Sequence, residues 1–224
     1  MADIAESVLD LVGNTPLLRL NRVVQAGWAT VLAKLEARNP SGSVKDRLAL
    51  AIVEDAEARG LLRPGDTIVE ASGGNTGIAL AMIGAAKGYQ VVITVPEAVS
   101  PERRRLLTRY GAQVHITPSS EGMAGSMRAA AELVRSNPRY YLLGQFRNPA
   151  SVKAHRERTA QEILDATKGR VDAFVAGVGT GSTVSGVGEA LKARVPGVRI
   201  IAVEPARSPL LSKGRANEHH TPGL

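Results

Sequence analysis

The chain has no cysteine, and its aromatic complement is one tryptophan, four tyrosines and two phenylalanines in 224 residues. Without cysteine there is no disulfide framework, no thiol nucleophile and no thiolate metal site. So few rings leave little for a platform on which nucleic-acid bases could stack. Long apolar runs are missing as well. The longest, around Gly77 to Ala86, stops at Lys87 and is too short to span a bilayer. The N-terminus, Met1-Ala2-Asp3-Ile4-Ala5-Glu6-Ser7, is acidic where a secretory signal would be basic. The four histidines, His115, His155, His219 and His220, show no metal-ligand spacing, so no metal is expected. These features lead to the expectation of a soluble chain, most simply cytoplasmic, with no membrane partner.

Charge is present in excess of one sign. Lysine and arginine number 28 against 21 acidic residues, a net charge of +7. A basic chain invites a nucleic-acid reading. The basic residues are spread along the sequence, however, and the one tight run, Arg103-Arg104-Arg105, follows Pro101-Glu102 on an expected helix. A solvated helix face explains it, and the positive field serves anionic small molecules equally well. No nucleic-acid partner is expected.

From residue 44 onward the pattern alternates. Apolar residues at 44, 48, 51, 52 and 56 predict a helix over 44–59, capped by Gly60. Strands are expected at 67–70, 90–95, 113–117, 140–143, 171–176 and 199–203. Helices are expected at 76–87, 101–110, 124–135, 152–168 and 183–194. Strands alternating with helices of this length indicate βαβ units: an α/β fold with mostly parallel twisted sheets and helices on both faces. Ligands in such sheets sit beyond the carboxyl ends of the strands.

Three segments at such places carry unusual residues. In Asn39-Pro40-Ser41-Gly42-Ser43-Val44-Lys45-Asp46-Arg47, a turn leads into a helix with Ser43 as a possible cap. Lys45 then lies in the first turn, where the helix dipole is already positive. Read blandly it is an exposed lysine offset by Asp46. Read chemically, it is an amine eased toward deprotonation and suited to Schiff-base chemistry. In Ser72-Gly73-Gly74-Asn75-Thr76-Gly77, adjacent glycines let backbone N–H groups converge on one anion, or else make a tight strand-to-helix turn. In Gly177-Val178-Gly179-Thr180-Gly181-Ser182-Thr183, alternating glycines and hydroxyls at a helix start suit a phosphate. The sixth position is Ser182, so the dinucleotide fingerprint is not met, and no P-loop lysine follows. One lysine, one carboxylate-sized loop and one phosphate-sized loop together suggest a phosphorylated aldehyde held by an imine, which is pyridoxal 5′-phosphate.

The sequence resembles the cysteine synthase (O-acetylserine sulfhydrylase) family of fold type II pyridoxal-phosphate enzymes, which includes cystathionine β-synthase. The resemblance is carried by Val12-Gly13-Asn14-Thr15-Pro16-Leu17, Asn39-Pro40 through Arg47, Asn75-Thr76-Gly77-Ile78-Ala79-Leu80, Ser100-Pro101-Glu102-Arg103-Arg104, Gln145-Phe146-Arg147-Asn148-Pro149-Ala150, the Gly177–Thr183 loop, and Val203-Glu204-Pro205 with Ser208-Pro209-Leu210-Leu211-Ser212. It implies a two-domain architecture, a smaller domain over 40–148 and a larger, incomplete one built from 1–39 plus 149–224. It implies that Lys45 forms the internal aldimine and later moves the Cα proton. Asn75 would bond the cofactor's 3-oxygen, and Gly179, Thr180, Gly181, Ser182 and Thr183 would hold its phosphate. Ser72, Asn75, Thr76 and Gln145 would grip the substrate carboxylate. The implied reaction is a β-replacement through an α-aminoacrylate, making L-cysteine from O-acetylserine (or O-phosphoserine) and a sulfur donor. A homodimer, and serine acetyltransferase as a partner, are implied too.

The sequence departs from the family pattern in three places. Gly73 stands where a serine or threonine is usual, removing one hydroxyl from the substrate loop. Val99 replaces a common methionine. Members also continue beyond the segment matched by His219–Leu224, with core strands and a serine that meets the pyridine nitrogen, so exposed sheet edges and apolar surface are expected. Two other readings stand beside this one. The first is a pyridoxal-phosphate-binding remnant with a regulatory role. The second is a nucleotide or S-adenosylmethionine binder, with Glu204 at the next strand end as the ribose-binding acid.

Overall fold

The computed structural model describes residues 4–25, 27–217, 219, 221 and 223. The chain divides into two units, Met1–Ala150 and Ser151–Leu224.

In the first unit, valine- and isoleucine-rich runs bounded by glycine or proline become strands. β1 (Leu17–Arg19) and β2 (Leu32–Lys34) form an antiparallel pair that the periodicity did not indicate. The main sheet is parallel throughout. It contains β3 (Thr67–Ala71), β4 (Gln90–Pro96), β5 (Gln113–Thr117) and β6 (Tyr140–Leu142), in spatial order β5-β4-β3-β6. Its helices are α1 (Lys45–Ala58), α2 (Asn75–Lys87), α3 (Pro101–Arg109) and α4 (Gly122–Ser136), each within a residue or two of its expected span. Gly88 ends α2 in the left-handed region at φ +77°, where a side chain would be strained.

Strand β3 is buried on both faces because it is central and covered on both sides. Leu48, Ile52 and Val53 of α1 meet Leu80 and Ile83 of α2 over Ile68 and Ile93 on one face. Val69, Ala71 and Val92 meet Ala130 of α4 on the other. Burial of each large aliphatic side chain stabilises by about 1.5–3 kcal/mol.

Polar contacts tie the segment before α1 to that helix. The Arg47 guanidinium donates to both oxygens of Glu36, at 2.7 and 3.0 Å, and to Thr15 Oγ1 at 3.1 Å. Asn39 donates to Glu36 Oε2 and accepts from the Gly13 N–H. Arg47 is nearly fully buried, so these contacts are needed to compensate its charge.

The second unit has a parallel pair, β7 (Ala173–Gly177) and β8 (Arg199–Val203), joined by α7 (Ser182–Arg194). A long helix precedes it. The expected helix over 152–168 is α5 (Pro149–Ala154) and α6 (Ala160–Thr167), separated by a π-helical turn, His155–Thr159. Ile163 and Leu164 pack on Val187 and Leu191 of α7, with Val198. Val175, Ile201 and Val203 are exposed on the strand pair, in line with the expected apolar surface. A final short helix, α8 (Leu210–Lys213), follows. Among the described residues no helix is long and apolar enough to cross a membrane.

Candidate functional site

The candidate residues fall into two groups, one in each unit.

Lys45 is the first residue of α1 and is half-buried. Ser43 does not act as a formal cap, a place taken by Val44, but its hydroxyl accepts the Lys45 backbone N–H at 3.2 Å. Asp46 does not offset Lys45. Its carboxylate turns back onto Ser41, accepting from the backbone N–H at 2.7 Å and from the hydroxyl, and it is fully buried. Burial pushes the Asp46 carboxyl above its ordinary value against those bonds. The Lys45 ammonium has no hydrogen-bond or ion-pair partner among the described residues, and burial lowers its pKa. A neutral amine is therefore easier to reach than for a surface lysine.

The β3–α2 loop brings Ser72, Asn75 and Thr76 together. Ser72 Oγ accepts the Gly77 N–H at 3.0 Å, so the serine folds inward and its hydroxyl proton stays uncommitted. The N–H groups of Gly73, Asn75 and Thr76 meet no acceptor among the described residues. They lie at the positive end of α2, worth about 0.3–1 kcal/mol to a nearby anion. Thr76 donates to Gln145 Oε1 at 2.6 Å, which joins the loop after β6 to this site. Ser72, Thr76 and Gln145 are buried, and Asn75 is exposed.

Residue-level reading of the sequence did not single out Glu70. This buried carboxylate at the end of β3 accepts the Gly144 N–H at 2.8 Å and Gln145 Nε2 at 3.4 Å. An acceptor-only carboxylate fixes which face of the Gln145 amide meets Thr76. Burial raises the Glu70 pKa, opposed by these bonds. The only signal in the sequence was a charged residue at the end of an otherwise apolar strand.

In the second unit, Gly179 to Thr183 form the β7–α7 loop and the first residues of α7. Gly181 has φ +80°, which a side chain would oppose. The N–H groups of Gly179, Thr180 and Gly181 have no acceptor among the described residues. Hydroxyls crowd beside them. Ser182 Oγ lies 2.9 Å from Thr180 Oγ1 and 2.8 Å from Ser151 Oγ, and Thr183 Oγ1 lies 3.2 Å from His155 Nε2. Unspent N–H donors, rotatable hydroxyls and a helix dipole fit a phosphate, just as an unpartnered, desolvated amine fits an aldehyde. Each group of residues, taken by itself, suits its part of a phosphorylated aldehyde.

The structure removes the support for a ribose-binding acid. Both oxygens of Glu204 are occupied at the start of α8, accepting from the Leu211 N–H at 2.7 Å and from the Ser212 N–H and hydroxyl at 3.0 and 2.6 Å. The Ser212 hydroxyl and these N–H groups hold its pKa below the usual carboxylate value. Among the described residues no group of three or more His, Asp and Glu could hold a metal ion. His220 lies outside the described residues.

Known proteins agree with this chemistry. The family described as pyridoxal-phosphate dependent enzyme matches residues 8–223. A cysteine synthase of Staphylococcus aureus is 49% identical over 220 residues, which is 98% of this chain and 71% of the relative. A hydrogen sulfide-producing enzyme from Fusobacterium nucleatum matches with a TM-score of 0.95 at 42% identity, over 100% of this chain and 73% of that one. An O-ureido-L-serine synthase matches with a TM-score of 0.95 at 45% identity, over 99% of this chain and 70% of that one. The chain belongs to the pyridoxal-phosphate dependent enzymes, as a transferase of the cysteine-synthase type whose cofactor is pyridoxal 5′-phosphate.

Proposed function

We propose that the protein catalyses β-replacement on an O-activated L-serine, making L-cysteine from O-acetylserine and sulfide. The observation that carries this reading is Lys45, a partly buried amine with no partner among the described residues and a lowered pKa. Such a group suits both covalent attachment of an aldehyde and proton transfer near neutral pH.

Lys45 would hold the cofactor covalently, Asn75 would meet its ring oxygen, and Gly179, Thr180, Gly181, Ser182 and Thr183 would hold its phosphate. The bound cofactor supplies an electron sink for negative charge at the substrate Cα. The substrate carboxylate would take the free N–H groups at the start of α2, that of Thr76 among them, and the hydroxyl of Ser72, with Gln145, held by the Thr76 hydroxyl, completing the grip. Lys45, released as a neutral amine, would take the Cα proton. Acetate would depart from Cβ with its bonding electron pair, sulfide would add to Cβ, and Lys45 would return a proton to Cα. Positioned proton transfer of this kind contributes roughly 10²–10⁴-fold.

The O-ureido-L-serine synthase likeness supports a wider choice of nucleophile at the same Cβ, so hydroxyurea is a fair competitor to sulfide. A homodimer is the proposed assembly, checked by light scattering.

The test is the visible spectrum of the purified chain with pyridoxal 5′-phosphate, read before and after O-acetylserine. The expected result is a cofactor band that moves to longer wavelength with O-acetylserine and returns on adding sulfide, with L-cysteine released. The reading is overturned if no band forms with added cofactor, or if the band responds and no β-substituted product appears with either nucleophile.

A further inference from the structure

His155 is a buried, titratable side chain that the proposed reaction does not use. It is 2% exposed and opens the π-helical turn between α5 and α6. Its Nδ1 lies 3.0 Å from Thr159 Oγ1, and its Nε2 lies 3.2 Å from Thr183 Oγ1. Thr183 is one of the hydroxyls at the start of α7.

The neutral ring has one N–H and one lone pair. Two arrangements follow. In the first, Nδ1–H donates to Thr159 and Nε2 accepts the Thr183 proton. Thr183 then turns only lone pairs toward the loop, which repels an anion. In the second, Thr159 donates to Nδ1 and Nε2–H donates to a lone pair of Thr183. The Thr183 proton is then left for an anionic oxygen, in the same sense as the unspent N–H groups of Gly179, Thr180 and Gly181.

The backbone is arranged for this contact. A π turn inserts a residue and swings the following side chains by about 100° relative to an uninterrupted helix. Gly186, one turn beyond Thr183, lies directly against that turn. A Cβ at 186 would come within 2.8 Å of both His155 Cβ and the Arg156 amide nitrogen, and would strike the Val152 carbonyl oxygen. Only glycine lets α7 approach closely enough for Thr183 to reach the ring.

We propose that His155 is a positioning residue that donates from Nε2 to Thr183, so that the Thr183 hydroxyl donates to the cofactor's phosphate. The inference rests on reading the β7–α7 loop as the phosphate site.

The experiment compares uptake of pyridoxal 5′-phosphate with uptake of pyridoxal, which lacks the phosphate, by the full chain and its variants. Asparagine mimics Nδ1 and glutamine mimics Nε2. H155N is expected to bind pyridoxal 5′-phosphate about tenfold more weakly with pyridoxal uptake unchanged, and H155Q to stay near the parent protein. ¹⁵N NMR of the cofactor-loaded parent is expected to show His155 protonated on Nε2 and bare on Nδ1. T159V, which removes the donor to Nδ1 and leaves the ring in place, is expected to weaken binding in the same phosphate-selective way. That variant decides the matter if H155N does not fold. Protonation on Nδ1, equal losses for both ligands, or H155Q no better than H155N overturns the proposal. If the parent takes up neither ligand, the cofactor site itself is refuted and this role falls with it. If the parent binds both and H155N matches it, only the role of His155 is refuted.

Discussion

Replacing Gly73 by alanine sets one methyl group against Val99. The backbone at 73 permits the change, since Gly73 is not among the positive-φ residues. The obstacle is space. The new Cβ would lie 2.6 Å from Val99 Cγ2, whereas carbon atoms rest at about 3.5–4.0 Å, so roughly 1 Å of movement must be found. Val99 cannot supply it cheaply. Its branched side chain is stiff at χ1 and packs against the main core of the first unit. Overpacking of this size costs about 1–3 kcal/mol, and the lost freedom of the unfolded chain returns about 0.4–1 kcal/mol. G73A should therefore destabilise by about 1–2 kcal/mol, and V99A should remove most of that cost. Urea unfolding of the parent, both single variants and the double variant gives the coupling, expected at about 1 kcal/mol or more. Additivity within about 0.5 kcal/mol would refute the clash. The result bears on substrate choice, because residue 73 lies in the loop proposed to grip the carboxylate. Once Val99 is trimmed, serine fits at 73, and G73S/V99A should lower KM for O-acetylserine several-fold relative to V99A. An unchanged KM would show that residue 73 does not face the substrate.

The buried ion pair gives a second test. R47A removes both bonds to Glu36 and leaves a largely buried carboxylate, so it should cost about 3–5 kcal/mol in urea unfolding, and R47K should not restore it because lysine cannot bond both oxygens from one plane. A third concerns acid. Burial would raise the Glu36 pKa, but Arg47, Thr15 and Asn39 outweigh it and hold the carboxyl below its ordinary value. Its contribution is thus present above the unfolded value near 4.3 and lost as pH falls through the folded one, and E36Q should flatten that acid-side loss in urea midpoints taken along a pH series. The fourth concerns Lys45, whose pKa burial depresses. The unfolded chain binds this proton more tightly, so stability rises with pH up to the unfolded value of about 10.4. K45M should abolish that rise in the cofactor-free protein and form no visible band with pyridoxal 5′-phosphate.

What the sequence disclosed and what it concealed divide along a physical line. Glycine pairs and helix-start hydroxyls are local signals, because turn geometry and unspent N–H groups depend on neighbours in the chain. Both Gly-rich loops, and Lys45 at the start of α1, were therefore legible. The β1–β2 pair was not, since three-residue strands show too little alternation to register. Partnerships across long separations were hidden as well. Glu70 looks like a strand end until Gln145, seventy-five residues later, lies against it. The helix over 152–168 shows the clearest case. Residues 155–159, His-Arg-Glu-Arg-Thr, are a polar stretch between Ala154 and Ala160, and nothing in them announces a π turn. The turn becomes intelligible only with Gly186 on another helix, where the missing Cβ admits the close approach. The same contact that defeats periodicity is what carries His155 to Thr183. The irregular turn and the loop proposed to hold the phosphate thus meet at one packing contact. G186A should disturb both together, shifting His155 ring resonances and weakening pyridoxal 5′-phosphate uptake in one step. A variant that moved either one alone would show the two to be independent.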